Sequence, residues 1–476
     1  MWLDSLDFNS IALFLVLFIL IADYVKNRNP PNYPPGPRAL PLLGNFLDFD
    51  PKFPHLSFSK LAEIYGNVFS FRFGSAQLVF VCGYKMVKEA LVNQADIFVD
   101  RPFSPIADRF YSSTGGGLFM SSGEKWKKQR RFALSTLRSF GLGKSTMEQC
   151  IREEIEYLQE EIQSHKGEQF RPAGLFNNAV SNITCQLVMG KRFNYSDHRF
   201  QTMLRYMAEA FHLEGTMWAQ LYVSFTWLMK RLPGPHNRMF EDVVKIHEFI
   251  SEEVENHKKD LDPSNPRDYI DSFIIEMKNT NLAYCAMDLF LAGTETTATT
   301  LQWSLIYLIK HPEVQEKVQE EIDRVIEQNR LPTMADRANL PYTDAVVHEI
   351  QRIGNIVPLN GMRMASKDTT LGGYFIPKGT GIMPMLHSVL FDKTEWETPD
   401  TFNPGHFLDK DRKFIKTHWK RVCLGEGLAK MELFLFIVGL LQKFLFYVLD
   451  GEELRTDGVT GATRVPHPFK VCAKVR

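Results

Sequence analysis

The chain is 476 residues long, 44% hydrophobic and 12% aromatic, which is ample for a core able to enclose a cofactor. Its 55 lysines and arginines nearly balance 56 aspartates and glutamates, and no long basic stripe with interleaved aromatics occurs, so no nucleic-acid partner is expected. Six cysteines, at 82, 150, 185, 285, 423 and 472, are scattered without close pairs; this argues against a disulfide framework or zinc knuckles and fits a reducing compartment.

In chain order, the first feature is the unbroken apolar run Ile11 to Ala22, extendable from Phe8 to Val25 and slightly short for a spanning helix. Asp4 and Asp7 precede it while Lys26 and Arg28 follow, the reverse of a cleaved signal peptide; an uncleaved signal anchor with the rest of the chain in the cytosol is expected. Pro30-Pro31 and Pro34-Pro35-Gly36-Pro37 read as a stiff spacer. No repeat, low-complexity tract or linker follows Pro37, so the division expected is an anchor over 1–25, a Pro-rich linker over 26–38 and one large domain over 39–476.

Val68 to Phe73, Leu78 to Cys82 and Thr370 to Ile376 read as short hairpin strands, the last around Gly372-Gly373. Phe103 to Met120, with Phe103, Ile106, Phe110, Leu118 and Phe119 around Gly115-Gly116-Gly117, reads as an apolar loop that can line a pocket or as an ordinary surface loop with buried anchors; its Arg109 either meets a carboxylate or is solvated. In the helical stretch after Glu124, Trp126 and Arg130 share a face and can both donate to a propionate. Lys127, Lys128 and Arg131 point elsewhere, as a docking face for an acidic redox partner or as plain solvated charge. Helices are predicted over Met147 to His165, Met239 to Lys258 and Pro312 to Gln328. The sequons at Asn182 and Asn194 are expected to be chance matches.

The apolar segment from Asp288 to Lys310 reads as a buried helix whose middle, Ala292-Gly293-Thr294-Glu295-Thr296-Thr297, is poor in helix formers. Its Thr hydroxyls can bond back to the preceding turn and open it, and Glu295 beside Thr296 can relay protons. Glu349 and Arg352 share one helical face; alone, such a pair is most often exposed.

Cys423, in Arg421-Val422-Cys423-Leu424-Gly425-Glu426, stands just before the apolar run Leu428 to Phe446 and hence at a helix N-terminus, where the helix dipole favours a thiolate. Gly425 removes a Cβ that would hold a flat cofactor off the backbone. One cysteine suits haem better than zinc, because haem needs only an axial group from the chain.

Together these residues resemble the cytochrome P-450 superfamily of haem-thiolate monooxygenases, and most closely the microsomal second family and its fatty-acid epoxygenase subfamily. The resemblance runs end to end: Tyr33 to Pro37, Trp126 with Arg130, Ala292 to Thr297, Glu349 to Arg352, Phe402 to Phe407, and Arg421 to Glu426. It implies a mainly α fold with small β-sheets and haem b held by Cys423, with Trp126, Arg130, Arg363 and Arg421 on its propionates. It further implies Glu295 and Thr296 as the proton-delivery pair, and Glu349, Arg352 and His406 as a structural network. Phe103, Phe110, Phe119, Ala292 and Val357 would border the substrate.

The activity implied is insertion of one oxygen atom into lipophilic substrates, fatty acids such as arachidonate ahead of xenobiotics. Electrons would come from NADPH through the flavoprotein NADPH-cytochrome reductase, with cytochrome b5 as a second donor, at the endoplasmic reticulum membrane. The chain departs from the family pattern where Lys416 and Trp419 replace the usual Phe and Gly before the ligand, and the stretches Phe407 to Cys423 and Lys278 to Tyr284 are short. This keeps open a haem-deficient, non-catalytic relative. A haem-thiolate isomerase is the third class, disfavoured by the retained acid and Thr pair.

Overall fold

The computed structural model describes residues 8–74, 76–111, 116–141, 145–277, 281–326, 328, 330–411, 414 and 423–476. Two compact units emerge, one formed by Met1–Pro102, Leu221–Leu232 and Leu359–Val389, the other by Phe103–Gln220, Pro233–Pro358 and Leu390–Arg476.

The first unit is built on a four-stranded sheet. Val68–Phe73 and Ala76–Val81 form an antiparallel hairpin, Gly381–Pro384 joins Ala76–Val81 in parallel, and the short Arg363–Met364 closes the other edge. Val68 to Arg72 are buried without alternation, because helix Pro54–Tyr65 covers one face with Phe58, whose ring stacks on Phe80 at 4.1 Å. The hairpin Thr369–Leu371 with Tyr374–Ile376 turns on Gly372 and Gly373, both at positive φ, as the sequence predicts.

The Pro-rich segment is docked rather than free. Ser70 donates to the carbonyls of Pro35 (backbone N–H, 2.7 Å) and Pro34 (hydroxyl, 3.0 Å), and a Cβ on Gly36 would meet the Ser70 carbonyl oxygen at 2.1 Å. Ahead of it, helix Phe8–Lys26 leaves Phe14, Phe18, Ile21 and Val25 exposed, while Asp23 accepts from Arg72 at 3.1 Å. Among the described residues no helix is long and apolar enough to cross a membrane.

The second unit is helical. Its axis is the Gly-Thr helix, Leu282–Lys310, in which every residue from Thr297 to Leu308 is buried. Packing against Pro172–Met189, Pro235–Lys259, Pro341–Gly354 and Glu426–Lys443 overrides the weak propensity of its threonines. Thr296 and Thr300 do bond back, to the carbonyls of Ala292 (2.9 Å) and Thr296 (2.8 Å), yet the helix continues unbroken, so the opening expected there is absent. Helices Ser145–Ser164, Pro235–Lys259 and Pro312–Val325 fall close to their predicted spans. Phe103 to Met120 is not all loop: Pro105–Phe110 is helical, capped by the Ser104 hydroxyl accepting from Ala107 N–H. The six cysteines are free thiols, and the Asn182 sequon is buried, its amide bonded to the Phe193 carbonyl.

Candidate haem-thiolate site

Cys423 is exposed and stands three residues ahead of helix Glu426–Lys443, whose Glu426 N–H donates to the Cys423 carbonyl. Among the described residues, nothing lies within 4 Å of where a Cβ on Gly425 or Gly427 would stand. The exposed thiol is thus followed by a glycine-flanked backbone. Helix Gly123–Ser139 carries Trp126 and Arg130, both half-buried, with the guanidinium 5.7 Å from the indole centroid. Burial draws Arg130 below the usual arginine range, and the Cys423 sulfur, within electrostatic reach, pulls it the other way. One exposed thiol, a glycine-flanked backbone and a half-buried cation within electrostatic reach of the sulfur fit a planar, dianionic, iron-bearing group.

Arg363 lies in the other unit, on its edge strand, paired with Ile382. Arg421 falls outside the described residues, as do Lys416, Trp419 and residues 278–280 of the shortened connection.

Glu349 and Arg352 are buried, contrary to what an isolated i, i+3 pair suggests. Arg352 Nε and Nη2 each donate to Glu349 at 2.7 Å, and its remaining N–H groups reach the carbonyls of Leu390, Pro399 and Thr401. Asn403 N–H donates to Glu349 at 2.8 Å, and His406 Nδ1 lies 3.3 Å from it while Nε2 lies 2.9 Å from the Thr398 hydroxyl. The sequence-predicted network is brought together.

The Glu295 and Thr296 pair is not. Thr296 is partly open and turned to the Ala292 carbonyl, whereas Glu295 is buried and accepts from Thr299 (3.3 Å) and Thr463 (3.2 Å). Burial raises the Glu295 carboxyl above its ordinary range against those two hydrogen bonds.

Of the predicted pocket residues, Ala292 is exposed in mid-helix, Phe119 and Phe103 are exposed, Val357 is half-buried, and Phe110 packs edge-on against Phe240 at 5.3 Å. Arg109 lies 3.9 Å over the Phe240 ring and donates to Asn237.

Two carboxyls were not singled out from sequence. Asp288, one face with Ala292 and Thr296 at i+4 and i+8, accepts from Tyr111 hydroxyl (2.7 Å) and from the N–H groups of Leu118 (2.6 Å) and Phe119 (2.9 Å). A Cβ on Gly117 would meet its Oδ2 at 2.1 Å, so this clasp requires glycine. Burial lifts Asp288 to about 6 against these bonds. Glu432, in the helix after Cys423, accepts from Thr297 at 3.0 Å, and its other oxygen is buried with no hydrogen-bond partner among the described residues; burial lifts it to about 8. A lone acid in the apolar run Leu428 to Phe446 was the available signal.

Residues 34–473 match the family described as Cytochrome P450, and with that match over most of its length the chain belongs to this family. It is 46% identical over 481 residues to human cytochrome P450 2J2, covering 98% of this chain and 95% of that protein. Rat cytochrome P450 2J3 is 46% identical (97% and 95% covered) and human cytochrome P450 2C8 42% identical (96% and 97%). The protein is accordingly a monooxygenase that uses haem b and NADPH-derived electrons delivered by a reductase.

Proposed function

We propose that Cys423 would hold the haem iron, that Trp126, Arg130 and Arg421 would hold the haem propionates, and that the substrate lies over Ala292 and Thr296, flanked by Phe103, Phe110, Phe119 and Val357. The observation that carries this reading is the exposed Cys423 thiol at a helix N-terminus, with nothing among the described residues crowding Gly425 or Gly427 and Arg130 within its electrostatic reach. Bound there, haem supplies reductive activation of dioxygen, one atom passing to the substrate and the other leaving as water. The Gly-Thr helix is tied to the Cys423 helix by the Thr297 to Glu432 bond, one residue from Thr296. Thr296 holds its proton against the Ala292 carbonyl and releases that bond to donate towards the substrate side. Glu295 resupplies it by rotating away from Thr463, and burial keeps it protonated to higher pH than an ordinary glutamate. Glu349, Arg352 and His406 hold the chain before Cys423 in place without touching the reaction.

The substrates are lipophilic, polyunsaturated fatty acids ahead of xenobiotics. NADPH-cytochrome reductase and cytochrome b5 dock on the face carrying Lys127, Lys128 and Arg131. The domain over 39–476 faces the cytosol, held at the endoplasmic reticulum membrane by the apolar helix Phe8–Lys26, whose Phe14, Phe18, Ile21 and Val25 are exposed. The carbon monoxide difference spectrum of the dithionite-reduced, membrane-expressed chain tests the site. A Soret band at the thiolate position that is lost in Cys423→Ser is expected. The band of a haem without thiolate, or no haem, overturns the ligand assignment and returns the haem-deficient reading.

A further inference from the structure

After Asp457 the chain folds back on itself as the hairpin Val459–Thr460 with Arg464–Val465, closed by Gly461 N–H donating to the Thr463 carbonyl at 2.8 Å. Along the Gly-Thr helix, Glu295, Thr299 and Trp303 recur at i, i+4 and i+8 and so form one stripe, beside the one that carries Ala292 and Thr296. The hairpin is fastened to this stripe at two neighbouring residues. The Thr463 hydroxyl donates to Glu295 at 3.2 Å, and Trp303 Nε1 donates to the Arg464 carbonyl at 3.0 Å. At the start of the hairpin the backbone passes so close to the indole that a Cβ on Gly458 would stand 3.0 Å from Trp303 Cζ2. At its tip, Ala462 N–H donates to the Phe211 carbonyl at 3.1 Å.

Arg464 is buried, and among the described residues no carboxylate pairs with it. Its guanidinium instead donates to three carbonyls, those of Gly354 (2.7 Å), Asp457 (3.3 Å) and Thr456, and lies 4.5 Å from the Trp303 ring centroid. Gly354 ends helix Pro341–Gly354, so its carbonyl is one of those a helix end leaves open, where a cation is favoured. Arg464 N–H adds a bond to the Ile356 carbonyl at 2.8 Å. One residue thereby joins the end of that helix, the Gly-Thr helix and the chain entering the hairpin. A buried guanidinium held by carbonyls and a ring is an unfavourable way to fill space, since an apolar side chain needs no such partners; what the fork adds is a fixed position for its strand. The titratable groups on the surrounding elements are Asp457, His212 and Glu214 at the end of helix His198–Glu214, Tyr307 on the Gly-Thr helix and Glu432 on the helix after Cys423. None of them bonds Glu295 among the described residues.

We propose that Arg464 is a positioning residue that acts on Glu295: clamped between the Gly354 carbonyl and Trp303, it sets the place at which the Thr463 hydroxyl meets the acid. It acts through Thr463, without bonding Glu295 itself. The inference rests on the proposed role of Glu295 for its effect on turnover, whereas the placement of Thr463 is read separately. With the clamp intact, the Thr463 hydroxyl holds the Glu295 carboxyl down against burial. With the clamp loosened, Glu295 keeps the Thr299 hydroxyl alone and retains its proton to higher pH.

The test uses the haem-loaded full chain and reads Glu295 directly, from the infrared carboxyl band of its protonated form, identified by its loss in Glu295→Gln and followed as pH rises. Arg464→Lys keeps a charge but cannot span the three carbonyls. The pH at which the band is lost should move up by about 0.5–1, as one hydrogen bond to the carboxylate goes, and Thr463→Val should move it equally. Combined, the two substitutions should move it no further than Thr463→Val alone. Trp303→Phe keeps the ring and loses the N–H, and should give a smaller change in the same direction; it stands in for Arg464→Lys if that variant does not fold. An unmoved band in the folded variant, or effects of Arg464→Lys and Thr463→Val that add, overturns the proposal and leaves Arg464 as packing. The alkaline limb of the pH–turnover profile separates the two readings. A limb that moves with the band supports delivery through Glu295; a band that moves while the limb stays leaves Arg464 as the residue that places Thr463 and removes Glu295 from proton delivery.

Discussion

Glu349 and Glu432 are both buried carboxyls on helices packed against the Gly-Thr helix, and the protein treats them in opposite ways. Glu349 spends both oxygens on Arg352, with Asn403 N–H and His406 added, so its charge is matched on every side. Among the described residues, Glu432 has one threonine hydroxyl and a second oxygen without a partner. Glu295, Asp288 and Glu214 follow the second pattern: hydroxyls, backbone N–H groups or nothing, no ion pair among the described residues, and a carboxyl raised by burial in each case. Of these carboxyls, the one bonded to Asn403 and His406 is neutralised by a cation. Those around the Gly-Thr helix are left to neutralise themselves with a proton, which places proton-holding groups along the element where the reaction is proposed to occur.

The comparison breaks most visibly at Arg352. Arg352→Leu leaves Glu349 buried without its counter-charge and strips three carbonyls of their donor, a cost of about 3–5 kcal/mol against a total stability of about 5–15 kcal/mol. Expected is a collapse in the yield of folded, haem-containing protein and a large drop in denaturant midpoint. Glu349→Leu combined with Arg352→Leu should recover part of the loss, since no lone charge remains; a double variant worse than the sum of the singles contradicts this account.

Glu432 gives the next effect, which depends on pH. Its folded-state value of about 8 stands above the ordinary 4.5, so between these pH values the folded protein holds a proton that the unfolded chain has lost. Stability therefore falls as pH rises through that window, by on the order of a few kcal/mol in total. Glu432→Gln, neutral at every pH, removes the slope. Denaturation of the two proteins from about pH 5 to about pH 8 should show the variant gaining on the parent as pH rises; parallel curves would mean that Glu432 is ionised and paired.

Much of this was legible from residue types and spacing, and the rest failed for identifiable reasons. Strand Val68–Phe73 and the Gly372-Gly373 hairpin were readable because β-branched, aromatic and glycine signals are local. Cys423 stood out because a thiol before a long apolar helix is unusual. The burial of Glu349 and Arg352 was not readable from i, i+3 spacing, since it depends on carbonyls at Leu390, Pro399 and Thr401, far along the chain. The pairing of Glu295 with Thr463 rather than Thr296 depends on a contact 168 residues distant. Neighbours in sequence on a helix point to different faces, so Glu295 beside Thr296 in the chain was never evidence that their side chains meet.

That last contact yields the smallest and most discriminating effect. Thr463 is buried, and its hydroxyl is one of two that lower the Glu295 carboxyl against the larger upward push of burial. Thr463→Val keeps the shape and removes one hydrogen bond, costing about 1 kcal/mol of stability. With one lowering contact gone, Glu295 rises further and stays protonated to higher pH. If Glu295 delivers protons through Thr296, the alkaline limb of the pH–turnover profile should move upward in the variant, and the share of NADPH electrons reaching oxygenated product should increase because the competing contact to Thr463 is lost. Thr296→Ala in the same background should erase both changes, since it removes the hydroxyl through which Glu295 acts. An unmoved alkaline limb in Thr463→Val, with stability lowered as expected, would place Glu295 with Glu349 as a residue that holds structure, and leave Thr296 to draw its protons from solvent.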